Sequence, residues 1–160
     1  MEKFNLEKYK KLKQQTELEY KKVVGIHCPA LQAEVIFNSD GFHHLRYDSC
    51  RTERHKKSQS IKFLYFPKAV EVIQKSTTIQ EYRRSICPIG KPNKNGLRKT
   101  SAIEWFAFWS IISFAKKIRI RTVVRRVGGD DGYYHFWSVM PFWNLSHSQR
   151  IIGSKEIEDE

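Results

Sequence analysis

The chain has 160 residues and carries 29 Lys and Arg against 17 Asp and Glu, a net charge of +12 at pH 7. At 40% hydrophobic and 13% aromatic it can bury one sizeable core, which excludes a disordered chain, and its length suits one domain rather than two. No apolar run reaches the about 20 residues of a membrane span, and the basic start MEKFNLEKYKKLKQQ lacks the apolar stretch of a secretory signal.

In chain order, residues 2–23 read as a helix with a loose apolar stripe of Phe4, Leu6, Tyr9, Leu12, Leu18 and Tyr20, stopped at Gly25. This segment (1–23) is expected as a helical arm before a single domain spanning 24–153, with 154–160 as an acidic flexible tail. AEVIF at 33–37 suits a short strand or a helix end, and Asn38-Ser39-Asp40-Gly41 is turn chemistry because these residues tolerate positive φ. Residues 42–48 are ambiguous, and 49–62 read as a helix or an ordered loop. Pro67 is expected at the first position of a helix over 67–76, and residues 86–101, with two Pro and two Gly, as a mobile loop. Residues 102–114 form a buried strand candidate. IRIRTVVRRV at 118–127 alternates, with Ile118, Ile120, Thr122 and Val124 on one face and Arg119, Arg121, Val123 and Arg125 on the other. Gly128–Gly132 should close a hairpin onto a return strand at 133–140, ended by Pro141. The expected fold is α+β: helices packed on a small antiparallel sheet of three to five strands that ends in a hairpin.

The charge is unevenly placed. Residues 1–22 hold seven Lys and four Glu, residues 154–160 hold one Lys and four acids, and these two ends cancel. The whole +12 therefore belongs to the body, whose densest blocks, 83–99 and 116–126, each contain six basic residues and no acid. Such blocks attract phosphate backbones by releasing counterions, so a nucleic acid is the leading partner and a solvated cationic surface the alternative. Cys28, Cys50 and Cys87 cannot all pair and have no CxxC spacing, which suits a reducing cytoplasm.

Two constellations can carry chemistry. The first runs from His43-His44-Leu45-Arg46 to Arg51, Arg54, Lys56 and Lys57. Cleaving RNA without metal needs a base for the 2′-hydroxyl, an acid for the leaving oxygen and cations for the charged phosphorane, all of which His, Lys and Arg supply near neutral pH. His44 is favoured over His43 because Phe42 and Leu45 can anchor it; the competing reading is a half-buried polar group beside a solvated helix face. The second pairs Arg125-Arg126 with His135-Phe136-Trp137-Ser138 across the hairpin, offering phosphate clamping, hydroxyl hydrogen bonding and base stacking. Here the competing reading has the aromatics in the core and the arginines as edge charges. Cys28, His43, His44, Cys50 and His55 lack the paired spacing of a zinc site, so no metal and no cofactor is expected. The chain contains no GxGxxG, P-loop, GxSxG or HExxH element.

FNSDGFHHLRYD, RTERHKK before FLYFPKAVEVI, WFAFW, and RTVVRRVGGDDGYYHFWSVMP together resemble phage- and plasmid-associated nuclease-like domains of the barnase–EndoU–colicin–RelE superfamily, which includes the RelE/ParE-like toxins. The resemblance covers residues 33–142. It implies a RelE-like α+β domain acting as a metal-independent endoribonuclease, a toxin of a toxin–antitoxin pair or mobile element, with RNA as substrate and an acidic antitoxin as protein partner. On the same resemblance the early histidine is His44, the basic positions are Arg46, Arg54 and Lys57, the strand arginine is Arg125 or Arg126, and the late polar position is Ser138 beside Trp137; with the two constellations this makes His44, Arg46, Arg54, Lys57, Arg126 and Ser138 catalytic candidates and His43, Arg125, His135 and Trp137 candidate substrate contacts. The chain departs from the pattern in its two adjacent histidines and the lack of a clear catalytic Tyr. The alternative function is a non-catalytic nucleic-acid-binding accessory protein of a phage, plasmid or transposon.

Overall fold

A computed structural model of the protein describes residues 4–114, 116–142 and 157. Helix α1 (Leu6–Lys22) starts at Asn5, whose side chain accepts from the Lys8 amide at 2.9 Å, and ends on Lys21 and Lys22, which suit the negative end of the helix dipole. Tyr9 and Tyr20 are buried, so this helix is part of the core: the Tyr9 hydroxyl donates to Gln59 at 2.6 Å and the Tyr20 hydroxyl to the Asn38 carbonyl at 2.8 Å. Gly25 opens a strand. β1 (Gly25–Cys28) and β2 (Ala33–Ile36) form a hairpin over a short 3₁₀ turn at Pro29–Leu31.

Asn38-Ser39-Asp40-Gly41 proves to be a helix start. Asn38 caps α2 (Ser39–Arg46) by accepting from the Gly41 amide at 3.1 Å, the same Asx chemistry that makes turns. Gly41 is required there, because a Cβ would collide with the Phe136 carbonyl and the Tyr20 hydroxyl; α2 lies against the backbone of the last strand.

α3 runs unbroken over Lys56–Lys75, with Pro67 in its interior rather than at its start. An interior proline costs about 3 kcal/mol. The helix buries Phe63, Tyr65, Phe66, Ala69, Val72 and Ile73, and each large apolar side chain returns roughly 1.5–3 kcal/mol, so burial outweighs the break.

The remaining strands are β3 (Glu81–Ile89), β4 (Lys99–Phe114), β5 (Lys116–Val127) and β6 (Tyr134–Phe142). Both ends of the expected loop at 86–101 are in fact paired, from Ile86↔Ala102 to Ile89↔Lys99, and Pro88 is accommodated because β3 is an edge strand. β6 likewise continues through Pro141. Its outer side is paired to β2 only at Tyr134 and His135, so no neighbour there needs the missing amide.

The sheet has six strands in the order β1-β2-β6-β5-β4-β3, and β2 runs parallel to β6. The architecture is α+β, as expected, but the sheet is larger than three to five strands and mixed rather than antiparallel. Four-residue strands with no clean alternation conceal both features. The first face, under α1 and α3, buries Phe106, Phe108, Ile120, Val124, Phe136 and Val139. The second gathers Ile103, Trp105, Ala107, Val123 and Trp137 with Ile157, which is 6% exposed although it belongs to the expected tail. The expected flexibility of the rest of 154–160 lies outside the described residues. Among the described residues no helix is long and apolar enough to cross a membrane.

Candidate functional site

The β5–β6 ladder slips between Val123 and Val124: Val123 pairs with Ser138 and Val124 with Phe136, leaving Trp137 as an extra residue on β6. A bulge bends its strand and re-aims the side chains around it. Simple alternation put Ser138 with Phe136 and Trp137 with His135. Both placements hold despite the bulge: Trp137 stays beside His135, and Ser138 faces α3, which also covers Phe136, with Lys62 Nζ donating to its hydroxyl at 2.8 Å and to the Val139 carbonyl at 3.2 Å.

Trp137 is held between two elements. The His44 imidazole of α2 stacks on it, centroids 3.9 Å apart and planes within 18°. The Arg125 guanidinium of β5 lies 3.6 Å from its ring centroid. Two groups that close to one ring cannot share a face, so they cover opposite faces of the indole. Trp137 therefore offers no open face to a nucleotide base; it sets the spacing between an imidazole and a cation.

Each layer is braced. After α2, the chain turns tightly at 48–52, with the Asp48 amide donating to Thr52 O and the Thr52 amide to Asp48 Oδ1. A bridge between Tyr47 and Glu53 closes this turn. Arg54 is thereby folded back onto α2. Its Nε donates to the His44 and Tyr47 carbonyls, both at 3.2 Å, and its Nη2 meets His44 Nε2 at 3.3 Å. A guanidinium only donates, so this contact places the imidazole lone pair at Nε2 and its proton at Nδ1. On the far side, Arg125 Nε donates to His135 Nε2 at 3.0 Å. Burial, and then the Arg125 charge, push His135 down to about 3, so it is a neutral acceptor at any physiological pH. Burial also lowers Arg125, to about 10.

The structure thus brings together His44, Arg54, Trp137, Arg125 and His135, with Ser138 next in the chain and Lys62 behind it. His44 is 3% exposed and Ser138 fully buried. On the rim, exposed His43 stacks on Tyr47 at 4.2 Å and 10°, while the half-buried Arg46 guanidinium lies 5.2 Å from the Tyr47 ring. Arg126 is elsewhere. Strand alternation turns it to the first face, where Nε donates to Glu104 at 2.7 Å, a second nitrogen reaches Asp130 at 3.3 Å, and the guanidinium covers the Tyr134 ring at 4.9 Å. The Arg126 hydrogen bond holds the Glu104 carboxyl below the ordinary carboxylate range. Lys57, exposed on the first turn of α3, makes no hydrogen bond or ion pair among the described residues.

Sequence reasoning missed Lys62. Its signal was a lone cation on an apolar stripe, four residues before Phe66 and one turn after Ser58, and it becomes visible only when the helix is extended back from Pro67. A groove of about 500 Å³ opens elsewhere, between the C-terminal end of α3 and β4, lined by Lys68, Lys75, Thr77, Gln80, Trp109 and Ile111; no candidate residue borders it. Comparison of the chain with protein-family models, with curated proteins and with solved structures finds no match in any of the three.

Proposed function

We propose that the protein is a metal-independent endoribonuclease of the barnase–EndoU–colicin–RelE type, acting in the cytoplasm as a toxin of a toxin–antitoxin pair or of a mobile element. The observation that carries this reading is the His44 imidazole, stacked on Trp137 and facing Arg54 at 3.3 Å through its basic nitrogen. A positioned base beside a permanent cation is what attack of a 2′-hydroxyl on its own phosphate requires.

In this mechanism O2′ bonds to phosphorus while the bond to O5′ breaks. On substrate binding Arg54 Nη2 exchanges its hydrogen bond to His44 Nε2 for a phosphate oxygen, where it balances the charge growing on the phosphorane, and the freed Nε2 lone pair takes the 2′ proton. The Ser138 hydroxyl protonates the departing O5′, and Lys62, which donates to Ser138 at 2.8 Å, restores that proton. The products are a 2′,3′-cyclic phosphate and a 5′-hydroxyl. Arg46 and the His43–Tyr47 stack then flank the site as contacts for a base and a neighbouring phosphate. The excess of +12 supplies electrostatic steering for RNA and a surface for an acidic antitoxin.

Burial of His44 and Ser138 favours a second reading, a nucleic-acid-binding accessory protein without catalysis, because neither group reaches solvent freely in this conformation. One assay separates the two. Incubation with total RNA in EDTA yields cyclic-phosphate ends if the nuclease reading holds, and salt-sensitive binding with intact RNA if it does not.

A further inference from the structure

The second face of the sheet carries a row of directly opposed residues across four strands: Arg83 on β3, Trp105 on β4, Arg125 on β5 and His135 on β6. Neighbouring strands lie about 4.8 Å apart, so the two arginines of the row are about 10 Å apart at the backbone. Arg125 is the singular member. Its hydrogen bond goes to a neutral imidazole and its face to an indole. Among the described residues no carboxylate bridges it, although the Asp40 charge acts on it from a distance.

The surroundings repeat this imbalance. Trp105 is 6% and Trp137 9% exposed, and the indole Nε1–H of each is buried with no acceptor among the described residues. Trp105 faces Arg125 across the β4–β5 ladder, Trp137 lies beneath its guanidinium, and both indoles belong to the cluster that Ile157 completes. Leaving a buried donor unpaired costs roughly 1–3 kcal/mol, and here two such donors belong to side chains beside a half-buried cation that no carboxylate bridges among the described residues. A group of donors without an acceptor is an anion site. The indole separates Arg125 from His44 and Arg54, so that anion cannot be the phosphate that His44 and Arg54 would hold.

We propose that Arg125, with the indole N–H groups of Trp105 and Trp137, binds a phosphate of the RNA strand adjacent to the scissile one, on the second face of the sheet. The choice of RNA as the source of that phosphate rests on the ribonuclease reading above. Occupation gives both indole donors an acceptor.

The test uses the full chain and a single-stranded RNA with 2′-O-methyl sugars, which cannot be cut. One neutral methylphosphonate linkage is moved along the strand, and the dissociation constant is measured for the wild type, R125Q, R125K and W105F. In the wild type one flanking linkage should weaken binding about tenfold. That penalty should vanish in R125Q and persist in R125K. The slope of log K against log salt should fall by about 1 in R125Q, and W105F, which removes the N–H but keeps the ring, should lose about three- to tenfold in affinity. A penalty of equal size in R125Q, no sensitive linkage in the wild type, or sensitivity confined to the scissile linkage overturns the proposal. If the penalty behaves as expected but an unmodified oligonucleotide is not cut, the ribonuclease reading fails and the phosphate site stands.

Discussion

Replacing His44 with Gln separates a catalytic imidazole from one that merely fills space. Gln keeps an acceptor that Arg54 Nη2 can meet, as it meets His44 Nε2 at 3.3 Å, but it cannot take up a proton near pH 7. What the fold loses is the ring stacked on Trp137 at 3.9 Å, worth about 0.5–1.5 kcal/mol, and a little apolar area. The expected destabilisation is therefore about 1–2 kcal/mol, which leaves a domain of ordinary stability almost fully folded at 25 °C. General-base catalysis is worth about 10²–10⁴ in rate, or about 3–5.5 kcal/mol in the barrier. The two effects differ enough to be read apart. Initial rates of cleavage of a fluorogenic oligoribonucleotide in EDTA, with urea unfolding of the same samples, give both numbers. A rate loss of less than tenfold in a folded H44Q protein would refute the assignment. So would a loss that tracks the unfolded fraction.

Arg126→Ala should act through stability, since Arg126 holds Glu104 at 2.7 Å. The Glu104 carboxyl is depressed by that bond, so its contribution is present above the unfolded-state pKa and is lost as pH falls through the folded-state value. Urea midpoints taken from about pH 6 down to pH 3 should therefore fall more steeply in the wild type than in R126A, and parallel curves would show the pair to be inert. Pro67→Ala restores the amide that can donate to the Phe63 carbonyl within α3. After subtracting the entropy that proline removes from the unfolded chain, it should stabilise by about 2–2.5 kcal/mol, and a lowered melting temperature would contradict an unbroken α3. Gly41→Ala forces a methyl into the Phe136 carbonyl and the Tyr20 hydroxyl. It should separate α2 from β6 and abolish protection of the Trp137 environment in near-ultraviolet circular dichroism, whereas an unchanged spectrum would show that the close approach is absent.

The sequence was most legible where one period ran long enough to be counted. The alternation of Ile118, Ile120, Thr122 and Val124 against Arg119, Arg121, Val123 and Arg125 is realised on β5, and the glycine-rich turn at 128–132 does close onto the return strand. Proline misled for two opposite reasons. At Pro67, core burial outweighs a helix break, and at Pro88 and Pro141 an open strand edge makes the missing amide harmless. Both outcomes depend on which neighbour lies beside the residue, and local composition does not carry that information. The parallel β2–β6 pairing was out of reach for the same reason, since two four-residue hairpin strands give no sign of joining the last strand.

The site repeats this division at the level of single side chains. Residue type marked His44, Arg54, Arg125, His135, Trp137 and Ser138, because each does something a core position does not need. What brings five of them together is local geometry of another kind: an Asx cap that starts α2 where a turn was expected, a loop folded back by Asp48 and Thr52, and one extra residue in β6. Ser138 shares with Phe136 the face that α3 covers, and it meets Lys62 there. On the other face one indole separates an imidazole from a guanidinium, and alternation along β5 gives the two neighbouring arginines different surroundings. Arg126 is spent on Glu104 and the stability of the sheet, while Arg125 is left with a neutral histidine and two unanswered donors. A pair that reads as a single basic block in the sequence is therefore two residues with unlike partners, and the strand period of two is what divides them.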